Sequence, residues 1–207
     1  MLTTTTPTNL PTVGGLDLAF EQDHAALALS YVNEETEEYY TYHVQEENPK
    51  GLKYSEGVEK FIEPIKRSKI AGVMADNHYK KAVEENLIPH GVFRIPAPTD
   101  PADAYVRARY LLAEGKVHLP ASKRLRKNML SVMSVPSGAK IRIVLPKRRG
   151  KKGAEDTGGH CDDVSALVLS LFQRYPATVE EFQNAVPRRP EVQKELDRLA
   201  AIADSDM

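Results

Sequence analysis

At 207 residues, with 41% apolar and 28% charged residues, the sequence has the make-up of one globular domain with a well-buried core. No apolar run approaches the roughly 20 residues needed to span a bilayer, which argues against a membrane protein. The start MLTTTTPTNLPT lacks the basic and apolar regions of a signal peptide, and the lone Cys161 excludes an internal disulfide, so a reducing cytosol is the expected setting. The net charge of −1 hides a segregation along the chain: Lys116 to Gly153 holds twelve basic residues and no Asp or Glu. Because periodic apolar residues run through the same stretch, it reads as a folded basic surface able to track phosphates.

Residues 1–12 are Thr- and Pro-rich without periodicity and read as a linker or disordered start. The run VGGLDLAF then begins an ordered region. It is followed by AALALSYV, with Leu27, Leu29 and Tyr31 alternating, and by EYYTYHV, with Tyr40, Tyr42 and Val44 alternating. Three successive strands joined by short connections predict an antiparallel meander. SEGVEKFIEPIKRSK has Val58, Phe61, Ile62 and Ile65 at helical spacing, with Ser55 as an N-cap candidate and a kink expected at Pro64.

IAGVMAD reads as a short buried strand, NHYKKAVEENL as a helix and GVFRIPA as another strand. DPADAYVRARYLLAEGK has the Asp-Pro start and Gly115 end that bracket a helix. KVHLP is a candidate edge strand, ASKRLRKNMLSVMSV a basic amphipathic helix, and KIRIVLP a strand with Ile141, Ile143 and Leu145 on one face. KRRGKKGAEDTGG is a polar loop, HCDDVSALVLSLFQRY a strongly apolar helix, and residues 176–207 a helical extension with a frayed acidic tail. The order predicts an α/β fold with a mixed sheet flanked by helices.

Three places concentrate carboxylates. Asp17 sits mid-strand, where period-2 geometry puts Leu16, Leu18 and Phe20 on one face and Gly15, Asp17 and Ala19 on the other. A buried carboxylate there needs compensation, either from a structural Lys or Arg or from a metal ion. Asp76 ends a strand and precedes a helix, which suits an N-cap but also a ligand at a strand's carboxyl end. His160, Asp162 and Asp163 crowd the start of a helix that must be buried. The helix dipole accounts for one such acid more comfortably than for two.

Oxygen ligands from separate elements suit Mg²⁺ or Mn²⁺, and two such ions can drive phosphodiester cleavage. Adjacent His160 and Cys161 without a second Cys pair do not fit structural zinc. Neighbouring acids make Cys161 a poor nucleophile, and no Gly-x-Ser-x-Gly elbow is present.

The ordered set GLDLAFEQDHAAL, IAGVMADNHYKKAV, LLAEGKVHLP and GGHCDDVSALVLSL resembles the C-terminal nuclease domain of large terminase subunits from tailed phages, over about Val13 to Phe172. The resemblance implies a ribonuclease H-like mixed sheet flanked by helices with an added basic strand or hairpin-loop region. Residues 13–175 would form the nuclease domain. It further implies a metal-dependent endonuclease that cuts double-stranded DNA, a concatemeric viral genome, during packaging in the cytoplasm of an infected host cell.

The residues implied to bind two Mg²⁺ or Mn²⁺ are Asp17, Asp76 and Asp163, with Asp162 and His160 beside them. The candidates for DNA binding are Lys123, Arg124, Arg126, Lys127, Lys140, Arg142, Lys147, Arg148, Arg149, Lys151 and Lys152. Implied partners are the terminase ATPase domain, the small terminase subunit and the portal. The sequence has no Gly-x-x-x-x-Gly-Lys-Ser/Thr phosphate loop, so ATP hydrolysis is not expected of it. Two other readings share these features: a resolvase- or transposase-like nuclease of the same fold, and a non-catalytic module that grips DNA or a portal.

Overall fold

The computed structural model describes residues 10–18, 24–47, 54–138, 140–145, 161–175, 178 and 180. The expected meander is present as β1 (Thr12–Asp17), β2 (Ala25–Asn33) and β3 (Glu38–Glu47), paired antiparallel in sequence order. Helix α1 (Tyr54–Arg67) follows, and the chain then enters β4 (Gly72–Ala75), which pairs parallel with β1. Helix α2 (Lys80–Leu87), β5 (Phe93–Pro96), α3 (Pro101–Ala113) and the short edge strand β6 (Val117–His118) complete a six-stranded mixed sheet ordered β5-β4-β1-β2-β3-β6. Helix α4 (Lys123–Ser131), a separate hairpin of β7 (Met133–Ser137) and β8 (Lys140–Val144), and helix α5 (Asp162–Phe172) follow.

Alternation on β1 and β2 divides the apolar residues between two layers, because successive side chains leave opposite faces of a strand. Leu16, Leu18, Leu27 and Leu29 pack with α1 and α2 residues such as Phe61, Ile65 and Leu87. Val13, Ala26 and Ala28 pack on the other face with α3 and α5, including Leu111, Leu167 and Leu171. Small residues on that second face let α5 lie close to the sheet, so α5 is the buried helix its composition predicts.

Three expectations require correction. The alternation of Tyr40, Tyr42 and Val44 is broken by a bulge: Leu29 pairs with His43 but Ser30 pairs with Thr41, leaving Tyr42 as the extra residue. Tyr39 and Thr41 are therefore the buried residues, and Tyr42 stacks on Tyr31 at 4.3 Å between ring centroids. The basic helix also stops earlier than its apolar period suggests. It ends at Ser131, and Met133–Ser137 form a strand; β-branched Val132 and Val135 with Pro136 favour extended backbone over a further helical turn. Ser55 lies inside the first turn of α1 rather than before it, and the helix runs on past Pro64 to Arg67. The extension expected over residues 176–207 falls almost wholly outside the described residues.

Helix α5 lies against the backbone of β1 at Gly15. A Cβ there would stand 2.1 Å from the Ala166 carbonyl oxygen and 2.4 Å from the Ser170 backbone nitrogen, both on α5. Neither atom can swing aside. At the adjacent Gly14 a Cβ would meet only the side-chain tips of Ile70, Leu29 and Val73, each at 3.1 Å. Gly15→Ala is therefore expected to cost about 3 kcal/mol or more, and Gly14→Ala about 1 kcal/mol or less, since overpacking is relieved only where flexible atoms give way. Urea denaturation of the two variants checks this, and equal losses would show that α5 does not seat on Gly15.

Candidate metal centre

Strand register builds the site. Gly15 pairs with Met74 and Leu16 with Ala75 across β1 and β4, so Asp17 and Asp76 stand one residue further along two neighbouring parallel strands. On the other side Asp17 pairs with Ala26, and Ala26 with Glu46. Asp76, Asp17, Ala26 and Glu46 thus form a row across four strands, on the face covered by α5. Adjacent strands lie about 4.8 Å apart, so the row places three carboxylates around one small residue. Antiparallel α5 brings its first turn, with Asp162 and Asp163, over the same end of the sheet.

Asp17 and Asp76 line a cavity of about 590 Å³ together with Asn77, His78, Thr99, Tyr105 and Ser165. The Tyr105 hydroxyl is 2.9 Å from Ser165 Oγ. Burial pushes the Tyr105 hydroxyl's pKa up, and the charges of Asp17 and Asp162 push it further, which places both carboxylates' fields on one phenol. Asp162 Oδ2 accepts from the His24 backbone N–H at 3.2 Å.

Asp163, a candidate ligand alongside Asp162, is oriented differently. Its two carboxylate oxygens accept from Asn128 Nδ2 of α4 at 2.9 and 3.0 Å, and Oδ1 also accepts from the Val164 backbone N–H at 2.9 Å. Both Asp163 and Asn128 are buried. Helical spacing puts Asp162 on the same face of α5 as Ser165 and Leu169, which line the cavity, and Asp163 on the next face.

Asp76 does not cap α2. The residue before that helix is Tyr79, while the Asp76 carboxylate closes a local turn by accepting from the His78 backbone N–H. The turn is fixed from below by Arg94 on β5. Its guanidinium donates to the Ala75 carbonyl at 3.1 Å, the Asp76 carbonyl at 3.3 Å and Asn77 Oδ1 at 3.0 Å, and it pairs with Glu84 at 3.3 Å.

Glu46 and His24 are functional candidates that the sequence reading did not single out. His24 Nδ1 lies 3.4 Å from Glu46 Oε1, and Arg124 of α4 pairs with Glu46 Oε2. Burial pushes the Glu46 carboxyl above the usual carboxylate range; Arg124 opposes the shift and Asp163 adds to it. His24, Glu46 and Asp162 can each offer a ligand atom within 4.8 Å of the others. The only signal in the sequence was parity: His24 precedes Ala26 by two and Glu46 follows Val44 by two, on the α5 face.

Cys161 precedes α5 with φ 64°, a left-handed conformation costing a non-glycine residue about 1 kcal/mol or more. Burial raises its thiol pKa, and the Asp163 and Asp162 charges raise it further, as expected of a poor nucleophile. Of the basic candidates, Lys123, Arg126, Lys127, Lys140 and Arg142 are exposed on α4 and β8, whereas exposed Arg124 is engaged with Glu46. His160, Lys147, Arg148, Arg149, Lys151 and Lys152 lie outside the described residues.

No family model matches the sequence, and no curated protein matches it significantly. Solved structures do. The magnesium-bound large terminase nuclease of thermophilic phage G20c superposes with a TM-score of 0.63 at 18% identity, covering 80% of this chain and 82% of that one. This chain has the ribonuclease H-like fold of large-terminase nuclease domains. The HK97 bacteriophage large terminase gives a TM-score of 0.61 at 14% identity, over 80% of this chain and 40% of that one. The P22 large terminase nuclease domain gives 0.56 at 12% identity, over 86% and 89%. The G20c nuclease has also been solved with cobalt.

The Asn128–Asp163 contact yields a test of what Asp163 does. Asn128→Ala would leave a buried carboxylate without its side-chain donor and is expected to destabilise the fold by about 3 kcal/mol. Thermal or urea unfolding measures the loss, and a change under about 0.5 kcal/mol would show that the pair does not hold α4 against α5.

Proposed function

We propose that this chain is a divalent-metal-dependent endodeoxyribonuclease that cuts double-stranded DNA during viral genome packaging. One observation carries the reading: Asp17 and Asp76 end adjacent parallel strands at a common cavity, with Asp162 brought over them by the first turn of α5. The donor set is all oxygen and drawn from three elements, which suits Mg²⁺ or Mn²⁺. The fit is also electrostatic, because the fields of Asp17 and Asp162 already overlap at Tyr105.

Asp17, Asp76 and Asp162 would hold the metal, and bound divalent ions, two in this reading, would supply charge neutralisation and water activation for phosphodiester hydrolysis. The protein's own part is positioning. Arg94 fixes the turn that presents Asp76, Gly15 sets the height of α5 above Asp17, and the His24 N–H orients Asp162. Asp163 acts through Asn128 as a positioning residue that ties α4 to α5.

Lys123, Arg126 and Lys127 on α4, with Lys140 and Arg142 on the hairpin, offer the phosphate contacts. Ile143 of β8 and Leu145 just after it line the same cavity as Asp17, and Lys147, Arg148, Arg149, Lys151 and Lys152, outside the described residues, would add further phosphate contacts. The terminase ATPase domain, small subunit and portal are the partners this reading implies, and the infected cell's cytoplasm is its place of action. A domain over 13–175 is part of the same proposal.

Asp17→Asn and Asp76→Asn are expected to abolish metal-dependent cleavage of plasmid DNA while leaving the Tm unchanged or slightly higher, because neutralising one of several clustered acids relieves repulsion. Retained cleavage with a large fall in Tm would make these acids structural. Replacing Lys123, Arg126 and Lys127 together with Ala is expected to flatten the log–log salt dependence of DNA binding by about 0.9 per lost phosphate contact. An unchanged slope would place the DNA elsewhere.

A further inference from the structure

The His24–Glu46 pair does not behave as a finished ion pair. The Glu46 side chain is only 6% exposed and that of His24 12%, yet the facing atoms, Glu46 Oε1 and His24 Nδ1, have no hydrogen-bond partner although they are 3.4 Å apart. A buried carboxylate oxygen and a buried ring nitrogen left so each lose their hydration without a compensating hydrogen bond. The other Glu46 oxygen, Oε2, is held by Arg124, so the carboxylate is oriented with Oε1 toward His24. Outer-shell orientation of this kind is what ligating carboxylates ordinarily receive. Asp162 completes the group, its Oδ2 fixed by the backbone N–H of His24 itself.

We propose that His24, Glu46 and Asp162 form a second cation site, distinct from the Asp17–Asp76 position and sharing Asp162 with it. It rests on the reading of Asp17, Asp76 and Asp162 as metal ligands, but its own donors are different. Donors within 4.8 Å of one another can be joined by one ion with bonds of about 2.0–2.2 Å after small side-chain adjustments. An imidazole nitrogen beside two carboxylates favours the borderline ions Mn²⁺, Co²⁺ and Zn²⁺ over Mg²⁺, which prefers oxygen alone. The site therefore retains a transition ion in the presence of excess Mg²⁺.

The test is Co²⁺ titration of the full chain in excess Mg²⁺, read by visible absorption and by the paramagnetically shifted exchangeable imidazole proton in NMR spectra. The wild type is expected to hold one Mg²⁺-resistant Co²⁺ with a single shifted imidazole signal, and Asp76→Asn to keep both. His24→Ala and Glu46→Gln are expected to lose the signal and to weaken Co²⁺ binding at least tenfold, about the least that a lost ligand or its support costs. Circular dichroism checks that the variants fold, and His24→Asn replaces the alanine variant if it does not.

Folded His24 and Glu46 variants that bind Co²⁺ like the wild type, with all Co²⁺ lost in Asp76→Asn, would overturn the second site and leave the proposed function intact. Full cleavage and full Mg²⁺ binding by Asp76→Asn would overturn the proposed function, while the shifted imidazole signal would still report the His24 site. A purely structural His–Glu pair would change stability in these variants without moving the Co²⁺ spectrum.

Discussion

The approach of α5 to β1 at Gly15 sets the geometry on which everything else depends. Backbone of α5 occupies the place where any side chain at this position would stand, so the helix rests directly on the strand there. Its far end is secured separately. Gly14 donates to Gln173 Oε1 at 3.3 Å, Tyr39 Oη to the Gln173 carbonyl at 3.4 Å, and Arg107 Nε to the Leu171 carbonyl at 3.2 Å. A helix held in its middle and at its C-terminal end has little freedom in where its first turn lies. Asp162 is therefore positioned over the strand carboxylates by contacts that are mostly remote from it.

That arrangement gathers carboxylates against their mutual repulsion. Asp17, Asp76, Glu46, Asp162 and Asp163 meet at one end of the sheet, where Arg124 pairs with Glu46 and the His24 ring lies beside it. A fold selected only for stability would separate these acids or match each with a base. Two of these carboxylates tie elements together: Asp163 joins α4 to α5 through Asn128, and one oxygen of Glu46 joins α4 to β3 through Arg124. The remaining acids face the cavity or the His24 group.

Much of this was legible along the chain. The alternation on β1 put Leu16 and Asp17 on opposite faces, and the structure sets Leu16 against α1 and Asp17 on the α5 side. The apolar run after Asp163 marked a buried helix, and the Asp-Pro pair marked the start of α3, where the Asp100 side chain accepts from Ala102 N–H. Local periodicity carries such information because each element obeys its own geometry. What could not be read depends on register and on pairs far apart in sequence. Asn128 meets Asp163 across 35 residues, and His24 meets Asp162 across 138. The bulge that ejects Tyr42 shifts one strand by a residue, and no composition signal marks it. The different orientations of the adjacent Asp162 and Asp163 likewise follow from the helix phase, which the short motif does not supply.

The placement of α4 joins the two halves of the proposed chemistry. Its buried side contributes Leu125 to the core and Asn128 to Asp163, while Arg124, one turn before Asn128 and beside that buried side, reaches Glu46. Lys123, Arg126 and Lys127 remain on the outside of the same nine-residue helix. A helix this short cannot move one of these groups without moving the others, since each residue advances the axis by only about 1.5 Å. Phosphates drawn to the outer lysines and arginine would therefore pull on the element that holds Glu46 and Asp163, and any cation at Glu46 would in turn stiffen the surface that phosphates meet. By the reciprocity of linked equilibria, whatever energy couples the basic face to the acidic end acts equally in both directions.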